Sequence, residues 1–181
     1  RDPLWSRGLG DVYKRQIRED GLFGQAELTS CGLNGGPLAG EGYYPSCIAC
    51  HLFTDRPVIY VGDSDKPEYV NGSFPKIVKE GWDGDQNEGY ITNMYDQCTA
   101  GFRYFDLSHV SEITLTIRGY AYGSMEIRTS FEGSAVKTIP LHYSNIWRDI
   151  KTEIKLPEGA DSLYFTYRGP GSASFKGFTL K

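Results

Sequence analysis

The chain has 181 residues with 19 basic against 23 acidic side chains and a net charge of −4; the length suggests one domain with an appendage, and without a clustered basic excess the balance excludes a nucleic-acid binder. Apolar residues make up 39% and aromatic residues 14%, with 13 Tyr, 9 Phe and 22 Gly, a composition that suits short strands joined by tight turns rather than helices. No apolar run approaches the roughly 18 residues that a membrane span needs, and no signal peptide is visible.

Residues 1–16, RDPLWSRGLGDVYKRQ, start with Arg rather than Met and show no period of 2 or 3.6. The run LGDVYKRQ resembles translated sequencing-adapter sequence, so Arg1 to Gln16 are expected to carry no fold information; the alternative is an unusual native tail. After Ile17, Asp20-Gly21 is a two-residue hairpin signal between β-prone flanks. The turn-rich stretch LNGGPLAGEGYYP and the short apolar run CIACHLF follow. Residues 54–73 read as a linker broken by Pro57, Pro67 and several Gly, Asp and Asn, with one strand at Val58 to Val61.

From Phe74 the texture changes to short strands at regular spacing. One run opens with Phe102, Tyr104 and Leu107, and Ile113, Leu115 and Ile117 alternate with polar neighbours. Met125, Ile127 and Phe131 come next, then Ile139 and Leu141. Ile150, Thr152, Ile154 and Leu156 alternate with Lys151, Glu153 and Lys155; Leu163, Phe165 and Tyr167 follow, and Phe175, Phe178 and Leu180 close the chain. Turn residues separate these runs, which predicts an antiparallel sandwich with one face of each strand buried.

The four cysteines are Cys31, Cys47, Cys50 and Cys98. Cys47 and Cys50 form a C-x-x-C with no second pair at zinc-ribbon spacing and no surrounding βαβ pattern. A disulfide such as Cys31 to Cys50, in an oxidising compartment, stands level with free buried thiols. His51, His109 and His142 are scattered, with no Ser or Cys at a nucleophile spacing, and no G-x-S-x-G is present.

The stretch ELTSCGLNGGPLAGEGYYPSCIACHL, residues 27–52, resembles the end of the catalytic domain in bacterial glycoside hydrolase family 43, the β-xylosidases and α-L-arabinofuranosidases with a five-bladed propeller. GYITNMYDQCTAGFRYFDL, ITLTIRGYAYGSMEIRTS and DSLYFTYRGPGSASFKGFTL are similar to strands of the family 6 carbohydrate-binding modules appended to many of these enzymes. The resemblance implies an all-β chain. A propeller remnant is expected at 17–53, a linker at 54–73, and an antiparallel β-sandwich of jelly-roll type at 74–181. It implies a noncatalytic accessory region of a secreted or periplasmic hydrolase of xylan or arabinoxylan, which binds carbohydrate or braces the missing N-terminal propeller; the alternatives are the β-xylosidase or α-L-arabinofuranosidase activity of the intact parent, which this stretch would share in name only, and a structural sandwich without a ligand. The family's catalytic carboxylates fall in the earlier blades, where a pair must flank the scissile bond, so no catalytic residue is carried over.

The resemblance also implies sugar contacts, since stacking needs flat aromatic faces with a few polar groups beside them. Trp147 falls where the family's stacking Trp would lie, and Tyr104 near its second aromatic. Ser172 and Ser174 stand where the family has an Asn; a hydroxyl offers less than an amide's two donors and acceptor, which puts the usual cleft in doubt. Tyr120 and Tyr122 are alternative aromatics, although paired Tyr in a Gly-rich turn are expected to pack against the loop. Asp83, Asp85 and Asn87 alternate like the start of a calcium loop, but the sixth position is Glu88 and the twelfth Met94. A solvated polar turn is the first reading there and a structural calcium the second.

Overall fold

The computed structural model describes residues 15–17, 20–25, 27–55, 74–79 and 89–181. Nearly all of the expected 54–73 linker, the strand at Val58 to Val61, and Asp83, Asp85 and Asn87 lie outside those residues.

β1 (Arg15–Ile17) and β2 (Phe23–Gln25) form the predicted hairpin around Asp20-Gly21. Asp20 accepts the Leu22 N–H at 3.0 Å, and Gly21 takes a φ of 78° that the turn requires. Arg15 pairs with Gln25 and Gln16 with Gly24, so the last two residues of the expected artefactual leader belong to this hairpin. β3 (Leu28–Thr29) and β4 (Gly32–Leu33) make a second small ribbon.

The rest is a sandwich. Its strands are β5 (Gly42–Pro45), β6 (His51–Phe53), β7 (Lys76–Val78), β8 (Tyr90–Met94), β9 (Thr99–Arg103), β10 (Glu112–Ala121), β11 (Ser124–Arg128), β12 (Lys137–Pro140), β13 (Ser144–Glu153), β14 (Ser162–Arg168) and β15 (Gly171–Leu180). One sheet runs β13-β10-β15-β8-β7, with β5 also on β15; the other runs β12-β11-β14-β9-β6. All of these strand pairs are antiparallel. No helix among the described residues is long and apolar enough to cross a membrane.

The boundary expected at residue 53 does not separate two bodies. β5 pairs along Gly177–Leu180 of β15, and β6 pairs with Thr99–Gly101 of β9. The chain passes from one sheet to the other through a 3-10 turn, Ser46–Ile48. Ser46 is fully buried there; its hydroxyl donates to the Phe175 carbonyl and accepts the Ile91 N–H at 3.0 Å. Residues assigned to a propeller remnant thus supply one strand to each sheet. The limit was set by the resemblance of residues 27–52 to a catalytic-domain end, and the short apolar run CIACHLF carries no label for which sheet completes it.

Between the sheets lies one core. Phe102 and Phe165 from one sheet meet Phe175 and Phe178 from the other, with centroids 5.0 Å apart for Phe102–Phe178 and for Phe165–Phe175. All four are fully buried, and each contributes about 1.5–3 kcal/mol by leaving water. Phe175 and Phe178 both point inward despite a spacing of three because a bulge intervenes, where Thr116 pairs with Gly177 and Ile117 with Phe175. Near the far end of β10, Gly119 has a φ of 129°, and a Cβ there would lie 2.6 Å from the Ser172 carbonyl oxygen. Beyond this glycine Tyr120 and Ala121 still pair with Ser172 and Gly171 of β15, and Tyr122 leaves the strand.

Candidate functional site

At that end of the sandwich three tyrosines gather in water. Tyr120 is 65% exposed, Tyr122 61% and Tyr143 44%. Tyr120 and Tyr122 alternate around Ala121, which points into the core, so the period of two sends both rings outward. Tyr143 arrives from the turn just before β13. Its ring centroid lies 4.8 Å from that of Tyr120 and 6.3 Å from that of Tyr122, and it is nearly parallel to Tyr122, at 11°. A hydrogen bond between the Tyr120 and Tyr143 hydroxyls holds the Tyr143 phenol above its ordinary pKa. The expected packing of Tyr120 and Tyr122 against their own loop does not occur.

Ser172 sits opposite Tyr120 in the β10–β15 register and is half-buried. Ser174 is opposite Arg118 and shares a 3.0 Å hydrogen bond with Thr92. The turn between β14 and β15 is tied to the tyrosines: the Tyr122 N–H donates to the Pro170 carbonyl at 3.3 Å, and the Tyr167 hydroxyl donates to the same carbonyl at 2.5 Å.

Trp147 is placed elsewhere. It lies along β13 on the outer face of the sheet, half-buried, edge-on to Tyr90 with centroids 5.1 Å apart. The Arg118 guanidinium lies over its ring at 4.2 Å, and the Lys176 ammonium is 5.8 Å from it. Arg118 also donates to the Tyr90 hydroxyl at 3.1 Å. The Arg118 guanidinium occupies one face of the indole.

Tyr104 lies at the opposite end of the sandwich from Ser172. It follows Arg103, which pairs with Ser162 at the start of β14, whereas Ser172 lies just beyond the end of β14. The Tyr104 hydroxyl donates to Glu27 at 2.5 Å and its carbonyl accepts the Leu38 N–H at 2.9 Å. That hydrogen bond to Glu27 raises the pKa of the phenol. Glu27 also pairs with Arg103 at 2.9 Å. Tyr104 thus fastens residues 27–38 to the sandwich.

The sequence-predicted residues therefore divide: Tyr122 and Ser172 come together, Ser174 and Trp147 lie further along the sheet, and Tyr104 is remote. Tyr143 was missed: in the sequence it is a lone Tyr before a predicted strand, and the fold brings it beside Tyr120 and Tyr122. All four cysteines are free thiols; Cys31 is exposed, Cys98 is buried, and Cys50 donates to the Gly101 carbonyl at 3.5 Å. Among the described residues no group of three or more His, Cys, Asp or Glu is arranged to hold a metal.

Comparison with solved structures decides what kind of sandwich this is. A family 6 carbohydrate-binding module from Clostridium stercorarium, solved in complex with cellobiose, superposes with a TM-score of 0.60 at 11% identity over 81% of this chain and 98% of its own. This chain has the fold of a family 6 carbohydrate-binding module. The isolated module covers more of the chain than residues 74–181 supply, in line with β5 and β6 being part of the sandwich. A glycoside hydrolase family 43 arabinoxylan arabinofuranohydrolase from Bacillus subtilis, in complex with cellotetraose, matches at a TM-score of 0.60 and 14% identity over 93% of this chain and 33% of that enzyme. In sequence, a xylosidase/arabinosidase from Thermoclostridium stercorarium is 46% identical over 171 residues, covering 94% of this chain; the chain spans only 36% of that protein. No family model matches the chain.

Proposed function

We propose that this chain is a noncatalytic carbohydrate-binding region of a plant-polysaccharide hydrolase related to glycoside hydrolase family 43, and that it holds xylan-type or arabinoxylan-type chains at its tyrosine end. The observation that carries the reading is the exposed cluster of Tyr120, Tyr122 and Tyr143 on a sandwich with the family 6 fold. Pyranose rings present apolar C–H faces that stack on aromatic rings, and their hydroxyls need donors and acceptors at the rim. Tyr122 and Tyr143 supply the stacking faces; the phenol hydroxyls and Ser172 supply the rim. The relative named xylosidase/arabinosidase and the arabinofuranohydrolase neighbour support the choice of polymer. A polymer of that size is met outside the cell, so the reading places the protein in an extracellular or periplasmic compartment.

A second reading has its own observation. On the outer face of the other sheet, His51, Phe53, Phe131 and Tyr164 form an aromatic tier, with centroids 4.9 Å apart for His51–Phe131 and 5.0 Å for Phe53–Phe131. Phe53 is 38% exposed, and His51 Nε2 is buried with no hydrogen-bond partner. Residues 27–36 join the sandwich at the neighbouring Arg103. A catalytic domain of the same polypeptide would brace against this face while sugar occupies the tyrosine end.

Affinity electrophoresis in gels containing arabinoxylan or xylan tests the main reading. The chain is expected to be retarded, and the variant carrying Tyr122→Ala and Tyr143→Ala is expected to run as it does without polysaccharide. No retardation of the unaltered chain, or equal retardation of the variant, contradicts it. Release of reducing sugar by the purified chain contradicts the noncatalytic part.

A further inference from the structure

Beyond the tyrosines, the same end of the sandwich has a second wall. The β14–β15 turn, Gly169 to Gly171, lies between Tyr122 on one side and the turn joining β8 to β9 on the other. That second turn is closed by the Cys98 N–H donating to the Tyr95 carbonyl at 3.0 Å and by the Gln97 N–H donating to the Tyr167 carbonyl at 2.8 Å. It presents Asp96, which is exposed. Asp96 Oδ1 accepts the Gly169 N–H at 2.9 Å. Oδ2 has no donor among the described residues. A cavity of about 550 Å³, lined by Tyr95, Asp96, Gly169, Pro170 and Gly171, opens beside it.

The floor between the two walls is the turn Gly169-Pro170-Gly171, whose one side chain is the exposed Pro170 ring. Gly123 packs so closely that a Cβ on it would lie 1.8 Å from the Arg168 carbonyl oxygen. Gly169 and Gly171 carry no side chains, so Tyr122 and Asp96 flank this turn with the exposed Pro170 ring between them. The tyrosine side offers flat faces and hydroxyls, and the far side offers a fixed carboxylate oxygen and an aromatic neighbour.

We propose that Asp96 is the polar specificity-determining residue of this end: its free carboxylate oxygen accepts a hydroxyl of the sugar whose neighbour stacks on Tyr122. The inference rests on the tyrosine end being the carbohydrate site. Hydrogen bonds to a charged acceptor are stronger than neutral ones, so Asp96 adds a strong acceptor beside the hydroxyls of Ser172 and the tyrosines. Because the group is anionic and offers no donor, it selects neutral sugars with free hydroxyls and repels uronate-bearing ones.

The test is calorimetric titration of the full chain with neutral xylohexaose and with a uronate-bearing xylo-oligosaccharide, comparing Asp96→Asn and Tyr122→Ala with the unaltered protein. The amide oxygen of Asp96→Asn still accepts the Gly169 N–H while its NH2 replaces the free acceptor. An unmoved Gly169 amide resonance reports that the turn is intact. The expected result is a loss of roughly tenfold in affinity for xylohexaose, a smaller loss or a gain for the uronate-bearing ligand, and the Gly169 resonance in place. Unchanged affinity in Asp96→Asn with a loss in Tyr122→Ala overturns the role of Asp96 and leaves the tyrosine site standing. Unchanged affinity in both overturns the site itself. A loss in Asp96→Asn accompanied by a displaced Gly169 resonance, or an equal loss for both ligands, also counts against the proposal, since the residue would then act through the turn alone.

Discussion

Tyr120 and Tyr122 stand at the end of β10, and Arg118 stands two residues earlier on the same strand; yet the aromatic groups at these two places meet their surroundings in opposite ways. The tyrosines turn their faces to water with Tyr143 beside them. Arg118 packs over both Tyr90 and Trp147 and occupies one face of the indole. The first group is ready to stack on something outside the protein. The second is already stacked on something inside it. An aromatic residue in the family's expected position is therefore a weaker guide than the question of what already occupies its face.

That contrast is sharpened most by removing Trp147. Trp147→Ala deletes its contacts with Tyr90 and Arg118 and is expected to cost about 2 kcal/mol of stability. Thermal unfolding should record a fall of roughly 4–8 °C, while affinity for arabinoxylan stays within about twofold. A large affinity loss at unchanged stability would reverse the assignment of the two groups. Tyr122→Ala and Tyr143→Ala should do the opposite. Each is expected to lower affinity roughly tenfold, read by calorimetry, and to change stability by no more than about 0.5 kcal/mol, as surface substitutions do. Arg118→Gln sits between them. It removes the cation from the Trp147 face at about 1 kcal/mol in stability, measured by urea unfolding, and leaves the tyrosine end untouched.

The smallest effect concerns the aromatic tier around His51. Burial holds the His51 imidazole below its ordinary pKa, so the folded state favours the neutral ring. Its contribution to stability is fully present above the unfolded value of about 6.5 and is lost as pH falls through the lower folded value. Unfolding midpoints between pH 7 and pH 5 should fall less steeply in His51→Leu than in the unaltered chain; parallel slopes would remove His51 from the account.

Much of the sandwich was legible because its strands alternate. Ile113, Leu115 and Ile117 of β10 and Leu163, Phe165 and Tyr167 of β14 point inward as their period of two predicts. β5 and β6 were not legible as part of it, since Gly42–Pro45 and His51–Phe53 are too short to show a period and their partners lie far along the chain in β15 and β9. The bulge that lets Phe175 and Phe178 share one face is visible in the sequence only as a spacing of three. At the candidate site, Ser172 was singled out from the resemblance, and Tyr122 as an alternative aromatic expected to pack on its loop, where it is instead exposed. Tyr143 and Asp96 were not, because each gains its meaning from turns that only the folded topology brings to one end. Arg118 was read as a polar strand residue, and nothing in the spacing told that it would cover Trp147.

The most direct test of the central claim is an amide chemical-shift titration with xylohexaose. The account predicts that the largest shifts fall on Gly119–Gly123, Leu141–Ser144 and Gly169–Ser172, with Trp147, Arg118 and Tyr90 nearly still. Largest shifts at Trp147 and its neighbours, or no shift at saturating ligand, would contradict it.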